Sequence, residues 1–351
     1  MDSVSWRGSP VVQLVLLAAV SMLLLVLLLL ATGHAPGPAL AALFRGAFGS
    51  SYALLSATPV RAVPLALAGL AVAIAFRAGI LNVGAEGQLL VGATAATGVA
   101  AFATAGNNAP AAVVIPVMLV AGAGAGAMWA GVAAWLRQRF GVLEVISTIM
   151  LNFVALYLVG YLVRGPLQEP LRINPQSASL PEPLHLPVLV PDSRLHVGVL
   201  LTVIIAAVAW WWLRNTASGF RVRAVGANRT AAASAGMIHV SRTAARAFLV
   251  SGALAGLAGA VQFSGVTYAL YENFSPGYGY TAIAVALLAR LNPLAVLATA
   301  LLFGALESGA NAMQRDAGVP DVVVSVVEAT LILLVVAADR WQARHATGTR
   351  P

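Results

Sequence analysis

Residues 10–44 and 87–136 contain no Asp, Glu, Lys or Arg. Soluble domains draw about a quarter of their residues from those four types, whereas one membrane-spanning helix needs only about 20 consecutive apolar residues. Both charge-free stretches exceed that length, so each must fold back on itself or include a loop. The rest of the chain agrees: 60% of its 351 residues are hydrophobic and 9% charged, with a mean hydropathy of +0.88. In hydrocarbon every backbone polar group must find its partner within the protein. The expected fold is therefore all-α, a polytopic transmembrane helix bundle. The first apolar run, residues 11–31, is longer than a signal-peptide core and lacks a clean small-residue cleavage site, so it reads as an uncleaved first span.

About ten spans are predicted, broken helices included, at residues 11–32, 59–76, 88–104, 111–136, 143–163, 196–213, 245–266, 278–289, 293–310 and 320–338. With the N-terminus inside, they leave 14 of the 20 arginines on the cytoplasmic side, as the positive-inside rule requires. Residues 1–351 are thus expected to form one transmembrane domain. The net charge of +8 reflects this topology and not nucleic-acid binding, because the arginines lie in short segments between apolar runs.

Cysteine is absent, which excludes disulfides, thiolate catalysis and Cys-ligated metals. Lysine is absent as well, which excludes a P-loop, whose lysine contacts the nucleotide phosphates. Any ATP-driven work must then be done by another chain, with no cofactor held in this one. The five histidines are scattered, with no metal-binding pair and no catalytic constellation.

Two segments between spans stand out. Residues 165–195 are expected to form an extracytoplasmic loop, because Pro170, Pro175, Pro181, Pro183, Pro187 and Pro191 deny it a continuous helix. Residues 214–246 form the longest cytoplasmic segment, with six arginines and no acid. Within it Asn228 can cap a short helix over 229–235, Gly236 can end that helix in a left-handed turn, and Ser241 can cap the next span. Two readings fit: a docking element for a cytoplasmic partner, or a solvated basic loop held by anionic lipid.

Polar residues inside the apolar pattern mark the candidates for function. Residues 76–88 set Arg77, Asn82, Glu86 and Gln88 among Gly79, Gly84 and Gly87. Such glycine-broken backbone at membrane depth must be buried in protein or line a cavity. It reads either as a tight turn with Glu86 pairing Arg77, or as a hinge beside a transport route. On the fifth span Glu144, Ser147, Thr148 and Asn152 fall within an arc of roughly 140°. Such a stripe must face protein or water, through hydrogen bonds between helices or along a pathway. Glu307 and Glu328 lie in later apolar runs and read either as pathway groups or as helix contacts. Gly122 with Gly126, and Gly252 with Gly256, are small-xxx-small pairs suited to close helix approach. Trp210, Trp211 and Trp212 beside Arg214 read as interfacial anchors. The pairs Leu81-Asn82 and Leu291-Asn292 both sit where an apolar segment breaks, which suggests a trace of an internal repeat.

Four blocks, FRAGILNVGAEGQ (76–88), LEVISTIMLNF (143–153), RAVGANRTAAASAGM (223–237) and GYGYTAIAVALLARLNPLAV (277–296), carry a family resemblance over most of residues 55–340. The chain resembles the permease subunits of bacterial ATP-binding cassette (ABC) importers for nucleosides and simple sugars, within the larger group that also serves branched-chain amino acids. The resemblance implies a plasma-membrane importer subunit without its own ATPase site. Its implied partners are a cytoplasmic ATPase that binds ATP, a second and non-identical permease subunit, an extracytoplasmic substrate-binding lipoprotein and the lipid bilayer, with no nucleic acid. The third block resembles the family's coupling helix, which implies ATPase-coupling roles for Arg223, Gly226, Asn228, Ala231, Ala232, Ala235 and Gly236. The others resemble helices around the translocation path and make Asn82, Glu86, Gln88, Glu144, Ser147 and Asn152 pathway candidates. The block at Ala289-Arg290-Leu291 departs from the Gly-Arg-Asn usual in the family. An ion-coupled carrier or channel remains the alternative, because intramembrane acids also suit proton relays.

Overall fold

The computed structural model describes residues 10–330, apart from 107, 108, 192, 235, 237, 321, 324, 327 and 328. The described residues form α1 (Pro10–Ala31), α2 (Pro36–Phe48), α3 (Thr58–Arg77), α4 (Ala85–Thr104), α5 (Ala111–Phe140) and α6 (Glu144–Val163). After a long connection come α7 (Gly198–Asn215), α8 (Ala217–Ala227), α9 (Arg229–Ser234), α10 (Val240–Gln262), α11 (Tyr278–Leu288) and α12 (Pro293–Ala317). A π-helical turn, Ala53–Ala57, leads into α3, and another, Phe263–Thr267, extends α10. Seven helical segments among the described residues are long and apolar enough to cross a bilayer, and Met22–Ala31 and Tyr278–Leu288 are shorter apolar helices. The chain is an all-α, multi-pass membrane protein, roughly consistent with about ten crossings. The expected span at 320–338 lies largely outside the described residues, as does Glu328.

Helix starts and stops follow local chemistry, with three departures from the sequence reading. α4 begins at Ala85, three residues before the expected start at 88, which puts Glu86 in its first turn and not in a preceding loop. α10 begins at Val240 behind an extended His239, so Ser241 lies inside the first turn and does not cap it. The chain straightens two residues before Ser241, and the helix is already wound when it reaches that serine. Two helices, α2 and α8, were not expected. α2 starts on Pro36 and Pro38, whose fixed φ suits a first turn, but its 13 residues are too short for a span. α8 is opened by Thr216, whose Oγ1 accepts from the Gly219 N–H at 3.0 Å.

Two compact units divide the chain. In the first, residues 1–54 with 305–351, Leu25, Leu29, Leu43, Met313 and Val319 share one apolar cluster. Ser308 Oγ donates to the Gly46 carbonyl at 2.9 Å, and a Cβ on Gly309 would press on Leu43.

The second unit, residues 55–304, is built around α3 and α10. The apolar window of Ala53–Arg77 is 83% buried, against 22% for α5 and 28% for α6 and α7, so the latter helices present most of their surface outward. α5 and α10 cross where the two glycine pairs meet. A Cβ on Gly126 would collide with the Gly252 carbonyl, and one on Gly256 with the Gly122 carbonyl. The close approach expected of each pair is thus one shared interface. Between α6 and α7 the proline-rich segment forms a 3-10 turn, Glu182–Leu184, and isolated bridges. It pairs its backbone with the end of α10 and the chain beyond: Leu186 N–H to Ser264 O, Leu180 N–H to Tyr268 O and Ser177 N–H to Leu270 O, at 2.9, 2.7 and 2.7 Å. Arg164, at the end of α6, holds the chain beyond α10 through two bonds to Glu272, at 2.5 and 2.8 Å. Residues 268–277 are non-helical, yet Leu270 and Phe274 are buried. Such irregular backbone survives in an apolar bundle because protein covers it.

Candidate translocation and coupling site

Both helix breaks expected from the sequence are built the same way. At the end of α3 the Gly79 N–H donates to Phe76 O and the Ile80 N–H to Ala75 O, each at 3.0 Å, with Gly79 at φ +69°. This is a Schellman stop, which satisfies carbonyls the helix end would leave bare. At the end of α11 the Arg290 N–H donates to Leu287 O and the Leu291 N–H to Ala286 O, both at 2.9 Å. Here Arg290 and Leu291 take the left-handed positions, at φ +49° and +57°, without a glycine. The following asparagines repeat as well. Asn82 Oδ1 accepts from the Gly84 N–H at 2.9 Å, and Asn292 Oδ1 from the Leu294 N–H at 3.1 Å. The two stops share their bonding pattern, but the Leu-Asn pairs are offset by one position: Leu291 occupies the place of Ile80, not of Leu81.

The first break is locked by buried amides and an acid. Asn82 Nδ2 donates to Gln88 Oε1 at 3.0 Å and to Ser251 Oγ at 2.9 Å, while Gln88 Nε2 donates back to Asn82 Oδ1 at 3.1 Å. Ser251 Oγ in turn donates to the Ala71 carbonyl at 2.6 Å, which ties α10 to α3. Asn152 reaches across from α6: its Oδ1 accepts from the Gly87 N–H, and its Nδ2 donates to the Val83 carbonyl and to the Tyr280 hydroxyl, at 2.9, 2.9 and 3.1 Å. Glu86 Oε2 accepts from the Gly279 N–H at 2.7 Å, at the start of α11, where helix N–H groups lack partners. Gly279 must be glycine here, because a Cβ would overlap the Glu86 backbone. The pairing of Glu86 with Arg77 does not form. Arg77 Nε instead donates to the Leu291 carbonyl at 2.8 Å and so joins the first break to the second.

Asn82, Glu86, Gln88 and Asn152 thus form one buried cluster. Ser147 and Thr148 are buried on the same helix face as Asn152, but their hydroxyls bond back to carbonyls one turn earlier and not across helices. Glu144 lies at the start of α6 and holds Arg137 of α5 at 2.5 Å. The cluster's partners Ser251, Ser275, Gly279 and Tyr280 were not singled out from the sequence, because each meets its partner across more than 100 residues of chain. Ser275 bonds the Glu86 carboxylate.

The arginine-rich segment is attached to this break. Gly226 of α8 lies so close to Arg77 that a Cβ would strike its carbonyl. Asn228 Oδ1 accepts from the Ala231 N–H at 3.0 Å and caps α9, and Gly236 beyond it adopts φ +71°. Both features match the sequence reading. Arg229 Nη2 donates to the Gly79 carbonyl at 2.7 Å, so the first residue of α9 holds the break. Burial and the neighbouring Arg137 charge push the Arg229 guanidinium below its ordinary range. Within α9, Ala232 is buried whereas Ala231 and Ala233 are exposed; Arg223 is exposed on α8. Ala235 lies outside the described residues. A cavity of about 620 Å³ opens beside α9, lined by Arg137, Arg229, Gly236, His239 and Phe248 among others.

Among the described residues, no group of three or more His, Cys, Asp or Glu could hold a metal. The arrangement provides two helix breaks joined by Arg77, a buried polar lock and a short helix tied to the first break through Arg229.

Comparison with known proteins gives this geometry a family. A guanosine ABC transporter permease protein of Bacillus subtilis, NupP, is 39% identical over 327 residues, covering 92% of this chain and 91% of the relative. A glucose ABC transporter permease protein of Haloferax volcanii, TsgB13, is 39% identical over 82% of this chain and 77% of its own. A nucleoside ABC transporter permease protein of Lactococcus lactis, NupB, is 31% identical over 88% of this chain and 86% of its own. Each of these organisms contributes a second, more distant permease protein, at 28%, 31% and 27% identity respectively. No solved structure matches the chain at a significant level. The model of the family described as "branched-chain amino acid transport system / permease component" matches residues 54–336, and the chain belongs to that family.

Proposed function

We propose that this chain is the membrane-spanning subunit of an ABC importer that takes up a nucleoside or a related simple sugar across the bacterial plasma membrane. One observation carries the reading: a short capped helix, exposed at Ala231, is bonded through Arg229 to the break that carries the buried polar cluster. Its setting is a chain whose relatives, over more than four-fifths of its length, are ABC permease proteins of nucleoside and sugar systems.

In this reading a separate cytoplasmic ATPase binds the exposed face of α9 and drives it, and ATP is bound there and not by this chain, which has no lysine for a P-loop. A second, non-identical permease subunit completes the path, as the paired permease proteins of three organisms suggest. An extracytoplasmic lipoprotein delivers solute to the 165–195 loop. Asn82, Glu86, Gln88 and Asn152, with Glu144 and Ser147 on the same helix as Asn152, are the proposed pathway groups. In the described conformation the four clustered residues bond within the protein, and opening the break would exchange those bonds for solute or water.

The test is uptake of labelled guanosine, other nucleosides and glucose into vesicles containing the assembled transporter, with and without Ala231→Glu. That exposed substitution should leave the fold intact while abolishing ATPase association and uptake; normal assembly and transport would overturn the coupling assignment. Uptake that survived loss of the ATPase but collapsed with the proton gradient would favour an ion-coupled carrier.

A further inference from the structure

Where α7 meets α8 and the second break, three arginines converge with no acid beside them. Arg77, Arg214, Arg223, Trp210 and Asn292 line a groove of about 210 Å³. No Asp or Glu lines it, and among the described residues none of the three arginines forms an ion pair with a carboxylate. The Arg223 charge bears directly on Arg77. Arg77 commits one N–H to the Leu291 carbonyl; the other donors of its guanidinium fork are available for a ligand. Arg214 is packed over the Trp210 ring at 5.4 Å, which fixes its direction.

Like charges gathered without a counter-charge at the edge of a low-dielectric bundle are costly, and an anion relieves them. The Trp210–Trp212 belt marks this end of α7 as the bilayer interface, and the arginine distribution marks the side as cytoplasmic. Basic pockets between helices at that level suit phosphate-bearing headgroups, and arginine forks match phosphate oxygens in pairs. We infer that this groove binds the phosphate of an anionic lipid headgroup from the cytoplasmic leaflet. Its location gives the binding a consequence. The same Arg77 holds Leu291, so the lipid steadies the second break at the point where two residues sit in left-handed backbone.

The test is native mass spectrometry of the full chain, extracted in mild detergent with whatever subunits accompany it, titrated with phosphatidylglycerol, phosphatidylcholine or inorganic phosphate. Phosphatidylglycerol should be retained at least ten-fold more tightly than phosphatidylcholine. Arg214→Gln and Arg223→Gln should each weaken retention about five-fold, Arg214→Lys should largely restore it, and Arg221→Gln, an exposed neighbour outside the groove, should not change it. Thermal unfolding in lipid-free detergent identifies any variant that fails to fold, and Arg214→Lys supplies the comparison in that case. Equal retention of the two lipids, or unchanged retention in Arg214→Gln and Arg223→Gln, would overturn the proposal. So would inorganic phosphate at equal concentration displacing the lipid, which would assign the groove to free phosphate. Loss of ATPase association in Arg223→Gln with lipid retention intact would assign the groove to protein docking and also overturn it.

Discussion

At the scale of single residues, Asn152 is the cross-brace of the first break. Itself buried, it supplies an acceptor to the buried Gly87 and donors to the half-buried Val83 and the exposed Tyr280. Asn152→Ala leaves those groups unpaired and should cost about 1–3 kcal/mol. Ser147→Ala, one and a half turns away, removes only bonds to its own helix and should change stability by less than about 0.5 kcal/mol. Unfolding midpoints in detergent distinguish the two. A second residue gives a pH signature. His196 is buried against Gly198 and Gly265, its Nδ1 accepts from the Gly198 N–H at 3.1 Å, and its Nε2 has no partner among the described residues. Burial lowers its pKa to about 4. The unfolded chain takes up this proton near the ordinary histidine value of about 6.5, so the neutral ring's contribution is complete above that pH and is lost progressively towards pH 4. The shift corresponds to about 3 kcal/mol. His196→Asn, which retains an acceptor for Gly198, should flatten the unfolding midpoint between pH 7 and 5. Glu272 and Glu169, held low by Arg164 and by Gln176 respectively, act in a lower window: their contributions are present above the ordinary carboxylate range and fade as pH falls through their depressed values. Asn82, Glu86, Gln88 and Asn152 were visible in the sequence because polar groups in an apolar run need an explanation. Ser251 and Gly279 were not, since each meets its partner across 169 and 193 residues of chain.

At the scale of elements, the α5–α10 crossing carries the sharpest prediction. Gly256→Ala sets a Cβ against the Gly122 carbonyl and the Gly126 backbone, neither of which can yield, and should cost about 1–3 kcal/mol. Gly124→Ala, on the same helix as Gly126 but facing open space, should be neutral or gain up to about 1 kcal/mol from helix propensity. Thermal unfolding of both variants in detergent checks the pair, and equal effects would contradict the interface. The long spans were readable because hydrocarbon demands continuous apolar helices. The short helices split. α9 was legible from its cap and its closing glycine, which are local signals. α2 and α8 were passed over, because neither has a span's length, although Pro36 and the Thr216 cap mark their starts.

At the scale of the whole molecule, force applied to α9 has a bonded route: Arg229 to Gly79 at the first break, then Arg77 to Leu291 at the second. If α9 is the coupling helix, Arg229→Gln should leave ATPase association intact but lower solute uptake per ATP hydrolysed several-fold. Parallel uptake and phosphate-release measurements in vesicles read that ratio, and an unchanged value would show that the bond transmits nothing. What the sequence by itself determined was the medium, the helical class and the places where the helices fail, because the energetic demands of hydrocarbon on charge and backbone act residue by residue. It also carried the family resemblance through four local blocks. Only the tertiary structure decided that Glu86 turns to Gly279 instead of Arg77, that two glycine pairs make one interface, and that Arg77 shares one groove with the distant Arg214 and Arg223. Those outcomes depend on which helix faces meet at atomic contact, and that is fixed by packing between segments more than 200 residues apart, on which local pattern places no constraint.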